Sequence, residues 1–191
     1  MKARPYGWDG LLLEVDDPAG WYRTLLAARA TGELSCEEIV PAAETVLLAG
    51  ITKLPELAKM GPLPGPESAA EVNIPVRWDG ADLESVAERW QGDPPTVLRG
   101  LTLTVAFCGF TPGFAYLTGL EERYQLPRLD SPRPNVPAGS VAVAGPYAGI
   151  YPRSSPGGWQ LLGHTEVTMF DPLRAEPALL TPGTRVRFTD A

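Results

Sequence analysis

The side chains in this 191-residue chain that could do chemistry are few. His164 is the only histidine, and it follows Leu-Leu-Gly at the end of an apolar run. It could move a proton near neutral pH or serve only as a hydrogen-bonded surface group. Arg133 lies between two prolines, so its guanidinium is carried on a stiff segment. There it could hold a carboxylate or phosphate through two parallel hydrogen bonds. Arg153, in Tyr-Pro-Arg-Ser-Ser-Pro, is a weaker candidate of the same kind. Ser140 sits in Ala-Gly-Ser-Val, which is not a nucleophile elbow. One histidine and two distant cysteines, Cys36 and Cys108, cannot build a zinc site of familiar spacing. No Gly-rich phosphate loop or dinucleotide fingerprint is present.

Aromatic residues concentrate in the same stretch. Phe110, Phe114 and Tyr116 flank Pro112-Gly113. They could pack a tight turn onto the body of the protein. They could also wall a small-molecule pocket in which the Gly113 N–H meets a carboxylate or carbonyl oxygen. Gly157-Gly158-Trp159-Gln160 joins a flexible pair to a large ring and an amide. It reads either as a hairpin with a core tryptophan or as a contact surface. Tyr151, Pro137 and Gly139 complete the stretch from Phe107 to Asp171. There, glycines that free the backbone alternate with prolines that fix it.

Elements must hold these groups in place. Gly10–Val15 reads as a strand. Asp17-Pro18 has the form of an N-cap with proline at the first helical position. Trp21, Leu25 and Ala28, with Tyr22 and Leu26 beside them, form the apolar face of the helix that follows. A second strand is expected near Glu38–Leu48 and a short helix near Leu54–Met60. Met60–Asn73, rich in proline, glycine and serine, reads as a linker. Boundaries of 1–62, 63–73 and 74–191 follow for a small α/β unit, a linker and a second domain. The second domain opens with a strand at Ile74–Trp78 and a helix at Asp82–Trp90, and Asp93-Pro94 caps another helix. Leu101, Leu103, Val105 and Phe107 alternate with polar or small residues as in a half-buried strand. Further strands fit Ser140–Ala144, Ala148–Tyr151, Trp159–Leu162, Glu166–Phe170 and Thr184–Phe188. Short strands with Gly/Pro turns point to a β-barrel or sandwich.

Composition narrows the partners. A net charge of −7 and a pI near 4.8 argue against nucleic-acid or anionic-membrane surfaces, which need basic patches. Twenty glycines and twenty-one prolines indicate a loop-rich chain that still folds, since 44% of residues are hydrophobic. With no signal-peptide core, no run of membrane length and few cysteines, a cytoplasmic protein with reduced thiols is expected.

Three runs carry a resemblance. Gly109-Phe-x-Pro-Gly-Phe-x-Tyr-Leu, Pro132-Arg-x-x-Val-Pro-Ala-Gly-Ser and Gly149-Ile-Tyr-Pro…Pro156-Gly-Gly-Trp-Gln-Leu resemble the KipI/PxpB family. The family is also called allophanate hydrolase subunit 1 or the carboxyltransferase C/D domain family. The likeness is specific from about Ile74 onward and weaker over residues 10–50. It implies an α+β chain with a ferredoxin-like N-terminal domain and a cyclophilin-like β-barrel. It implies the B subunit of an ATP-dependent 5-oxoprolinase, which opens 5-oxo-L-proline to L-glutamate with a larger companion subunit of the KipA/PxpC type. ATP is then bound on or shared with that companion; no metal site is visible among the residues. An allophanate hydrolase or urea carboxylase-type carboxyltransferase subunit, and a KipI-like histidine kinase inhibitor, are the alternatives. One departure stands out: many members have a His-Ser pair about ten residues before the Phe107 strand, where this chain has Leu98-Arg99.

Overall fold

A computed structural model describes residues 1–65 and 70–191. The chain divides into two compact units, 1–69 and 70–191. Of the stretch expected as a linker, residues 66–69 lie outside the described residues. Its two ends belong to the units. Thr24 Oγ1 donates to the Gly61 carbonyl at 2.7 Å and the Leu63 N–H to that of Gly20 at 3.2 Å. Glu71–Asn73 already form a strand.

The first unit is β1 (Lys2–Tyr6), β2 (Gly10–Glu14), α1 (Pro18–Ala30), β3 (Glu38–Pro41) and β4 (Thr45–Ala49). Its antiparallel sheet runs β1-β2-β4-β3. β2-α1-β3-β4 is the βαββ half of a ferredoxin-like unit, with β4 between β2 and β3. β1 fills the remaining edge beside β2, in register from Lys2↔Glu14 to Tyr6↔Gly10. Asp17 caps α1 by accepting from the Gly20 N–H at 2.8 Å. Trp21, Leu25 and Ala28 bury against Leu13, Val46, Leu48 and Ile39, the face that the helical spacing predicts. Three expectations change here. β1 is an additional strand. The single strand near Glu38–Leu48 is a hairpin, closed by an Ala42 N–H to Thr45 carbonyl bond of 2.8 Å. The helix at Leu54–Met60 shrinks to one 3₁₀ turn, Leu57–Lys59.

The second unit contains β5 (Glu71–Val76), α2 (Leu83–Trp90), α3 (Pro94–Gly100), β6 (Leu103–Cys108), β7 (Ala115–Thr118), β8 (Arg133–Val136), β9 (Ser140–Ala144), β10 (Tyr147–Ile150), β11 (Ser155–Gly157), β12 (Gln160–His164) and β13 (Arg185–Asp190). Seven strands form a sheet in the order β12-β9-β10-β7-β6-β13-β5. Arg77 and His164 exchange both backbone hydrogen bonds at 2.8 Å. That bridge joins the segment after β5 to β12 and nearly closes the sheet into a barrel. Ile74, Leu103, Val105, Leu117, Val141, Val143, Ile150, Leu162, Val186 and Phe188 fill the interior, with Val86, Trp90 and Leu98 of the helices. Leu98 is fully buried, and Arg99 pairs with Asp190.

The sheet has a second, outer core. β9 is buried on both faces: Val141 and Val143 point inward, while Ala142 and Ala144 lie under Phe114, Val136, Tyr151, Trp159 and Leu161. The two-stranded ribbon β8–β11 adds Val136 to this layer. Neither ribbon strand nor β7 is anticipated by periodicity: Pro and Gly interrupt the ribbon strands, and β7 is only four residues long, between Gly113 and Gly119. Glu166–Phe170, read as a strand, makes only an isolated bridge between Phe170 and Ala178.

Candidate active site

A bulge builds the site. β6 pairs with β7 in register at Val105↔Leu117 and then at Phe107↔Tyr116. One residue is inserted, so the inside–outside alternation reverses. Phe107, which strict period two would send inward, stacks on the outward Tyr116 at 4.4 Å between ring centroids. Cys108 packs toward the interior instead, where its thiol donates to the Leu180 carbonyl at 3.5 Å and burial pushes its pKa up.

Around Tyr116 the outer face is paved with rings. Phe114 meets Tyr116, Trp159 and Tyr151 edge-on at 5.0, 5.3 and 5.4 Å, and Phe110 meets Phe114 at 5.5 Å. Glycines leave room for them. A Cβ on Gly149 would stand 3.0 Å from Trp159 and 3.1 Å from Phe114, and one on Gly157 would stand 2.3 Å from the Tyr151 hydroxyl. Phe110 is held at φ +66° and stays 62% exposed. A bulky residue in that backbone region is strained, and such strain gathers at ligand clamps.

These rings border a cleft of about 270 Å³, completed by Arg128, Pro132, Pro156, Gly157 and Gly158. Arg128 is the charged residue in its wall, and among the described residues no carboxylate lines it. The cleft therefore suits a small, flat, apolar ring that carries a negative group. Phe110, Phe114, Tyr116, Tyr151, Gly157, Gly158 and Trp159 are brought together as the sequence suggests. Arg128 is not anticipated; its one signal is a cation beside Pro127 at the head of a turn-rich run.

The remaining candidates lie in the framework or on the surface. Arg133 gives its guanidinium to the buried Asp82 at 2.7 Å and to the Trp159 carbonyl at 3.4 Å. Asp82 also accepts the Leu161 N–H at 2.7 Å, so one ion pair ties α2, β8 and β12. Buried Gln160 bridges Arg89 and the Pro127 carbonyl, each at 3.0 Å. Gly113, at φ +84°, packs on Met169 and Phe170, which occupy the approach left for a ligand. Pro112 and Pro137 are exposed outside the cleft wall. Gly139 and Ser140 grip the main chain of Tyr151: the Gly139 N–H donates to its carbonyl at 2.7 Å, and its N–H donates to the Ser140 carbonyl at 3.0 Å. His164 sits at the barrel seam, with Nε2 at 3.1 Å from Glu166 and its ring against Gly139. It does not line the cleft. Arg153 is exposed and has no ion pair among the described residues.

Among the described residues no α-helix start is laid out to bind a phosphate. Each α-helix of the described residues begins at an aspartate, Asp17, Asp82 or Asp93, which opposes an anion where helices otherwise bind one. α3 also starts with two prolines that lack N–H donors. Among the described residues no cluster of side chains could hold a metal ion, and no helix is long and apolar enough to cross a membrane.

A sheet nearly closed into a barrel, in one chain with a small α+β unit, is the build of carboxyltransferase-like proteins. Urea carboxylase of Kluyveromyces lactis superposes with a TM-score of 0.70 at 18% identity, over 99% of this chain and 21% of that one; this likeness concerns the fold alone. A crystal structure of TTHA0988 superposes with a TM-score of 0.76 at 35% identity, over 100% of this chain and 40% of that one. The chain belongs to the family of the carboxyltransferase domain, subdomain C and D, whose model matches residues 1–180, and within it to the KipI/PxpB group that its motifs resemble. It is 47% identical over 123 residues to the 5-oxoprolinase B subunit of Escherichia coli O157:H7, covering 61% of this chain and 56% of that protein. The corresponding B subunit of Bacillus subtilis is 46% identical over 123 residues, covering 61% and 51%. The match thus spans about half the length of these curated relatives.

Proposed function

We propose that this chain is the B subunit of an ATP-dependent 5-oxoprolinase and that its aromatic cleft receives the cyclic amide. The cleft carries the reading: five aromatic side chains and one guanidinium surround about 270 Å³, with no carboxylate among the described residues of the wall. 5-Oxo-L-proline has the complementary parts. Its flat lactam ring suits the faces and edges of Phe114, Tyr116 and Trp159, and its carboxylate suits Arg128. Relatives named as 5-oxoprolinase B subunits support the same assignment.

A lactam resists water because its nitrogen is a poor leaving group and its carbonyl is stabilised by resonance. The cleft can fix the ring, shield it with aromatic walls and place donors near the oxygen on which charge develops. The phosphate chemistry belongs to a larger companion subunit, in keeping with the aspartates at this chain's helix starts. Calorimetric titration of the chain with 5-oxo-L-proline tests the assignment. Binding should weaken about tenfold or more when Arg128 becomes Ala, through loss of a charge-assisted contact. An unchanged affinity in Arg128→Ala, or no binding by the unaltered chain, would refute it.

A further inference from the structure

The polar groups of the cleft wall are not equivalent. Tyr151 is 2% exposed, yet it lines the cleft. Its ring is fixed by edge-on contacts with Phe114 at 5.4 Å and Phe110 at 6.5 Å. Its main chain is gripped on both sides by Gly139 and Ser140. Gly139 can make that grip because it lacks a side chain: a Cβ there would stand 2.2 Å from the Thr165 carbonyl. The hydroxyl lies in a niche that exists only because residue 157 is glycine, where a Cβ would stand 2.3 Å from the oxygen. Among the described residues none accepts a hydrogen bond from the Tyr151 hydroxyl, so its proton is left for an acceptor in the cleft.

We propose that the Tyr151 hydroxyl donates a hydrogen bond to the carbonyl oxygen of the cyclic amide, while Arg128 takes its carboxylate. This rests on the function proposed above and names a donor within the same cleft. Burial raises the phenol's pKa above the ordinary tyrosine value, although the Trp159 N–H, Arg128 and Arg133 pull the other way. The group therefore keeps its proton at neutral pH and acts as a donor. The bond strengthens as negative charge gathers on the oxygen and requires no proton transfer. Tyr116, the other phenol of the wall, lies flat on Phe107 and is engaged through its ring face. The motif residues Gly139, Ser140 and Gly157 acquire a shared role as positioning residues for this one hydroxyl.

The test compares two ligands: 5-oxo-L-proline and cyclopentanecarboxylate, which has the ring and the carboxylate but no amide. The unaltered chain should bind the first at least about tenfold more tightly, because a site built to donate to an oxygen discriminates against its absence. Tyr151→Phe keeps every ring contact and should bind the two nearly alike, with its melting temperature little changed. Gly157→Ala keeps the phenol but fills its niche and should lose the preference too. In the enzyme assembled with its companion, Tyr151→Phe should lower kcat by roughly a hundredfold with KM little altered. A Tyr151→Phe chain that retains the wild-type preference and turnover would overturn this role and leave the cleft assignment standing. Failure of the unaltered chain to bind either ligand would overturn the substrate assignment itself.

Discussion

Arg133 shows how a residue's chemistry depends on its partner. Held between prolines, it reads from the sequence as an anion-binding group. The structure supplies the anion from within: Asp82, 51 residues earlier in the chain, shares it with the Leu161 N–H. Because Asp82 is only 9% exposed, loss of the guanidinium would leave a carboxylate without its counter-charge. Arg133→Ala should therefore lower stability by about 3 kcal/mol in urea unfolding. Arg133→Met combined with Asp82→Leu should recover most of that loss, since apolar replacements remove the unpaired charge. A melting temperature unchanged by Arg133→Ala would return the residue to ligand binding. No local pattern reveals this pair, because it joins the start of α2 to a ribbon strand. The aromatic candidates are legible for the opposite reason: ring type and Gly/Pro spacing are local, and Phe114, Tyr116, Tyr151 and Trp159 do meet at one cleft.

At the scale of elements, two local devices shape the cleft. The bulge in β6 sends Phe107 to the outer face, and small residues in β9 and β10 let rings settle on the sheet. Period-two reading finds β6 and β9 but cannot see an inserted residue, which is why it places Phe107 inside. It also passes over β8 and β11, whose prolines and glycines carry no alternation although they pair with each other. Helices are legible from their caps, Asp17-Pro18 and Asp93-Pro94, because capping is a local contact between a side chain and the next N–H groups. Gly149 offers the sharpest test of the paved face. Gly149→Ala places a methyl group about 3.0 Å from Trp159 and 3.1 Å from Phe114, so both rings must shift. The variant should lose roughly 1–3 kcal/mol and change its near-ultraviolet circular dichroism. An unchanged spectrum and stability would mean that the rings are not seated as described.

Across the whole molecule, each unit has its own apolar core, and the cleft belongs entirely to the second. The chain offers binding surface and hydrogen-bond donors, but every described α-helix start that could cradle a phosphate is occupied by an aspartate. Under the proposed function the labour is divided: this chain would hold the cyclic amide and a companion subunit ATP. The most direct measurement is a reconstitution: 5-oxo-L-proline-dependent release of glutamate and phosphate by the chain alone, by the companion alone and by the two together. The expected result is no release by either alone and coupled release of both products by the mixture, abolished when Tyr151→Phe and Arg128→Ala are combined. Robust turnover by the isolated chain, or a fully active mixture carrying both substitutions, would contradict it.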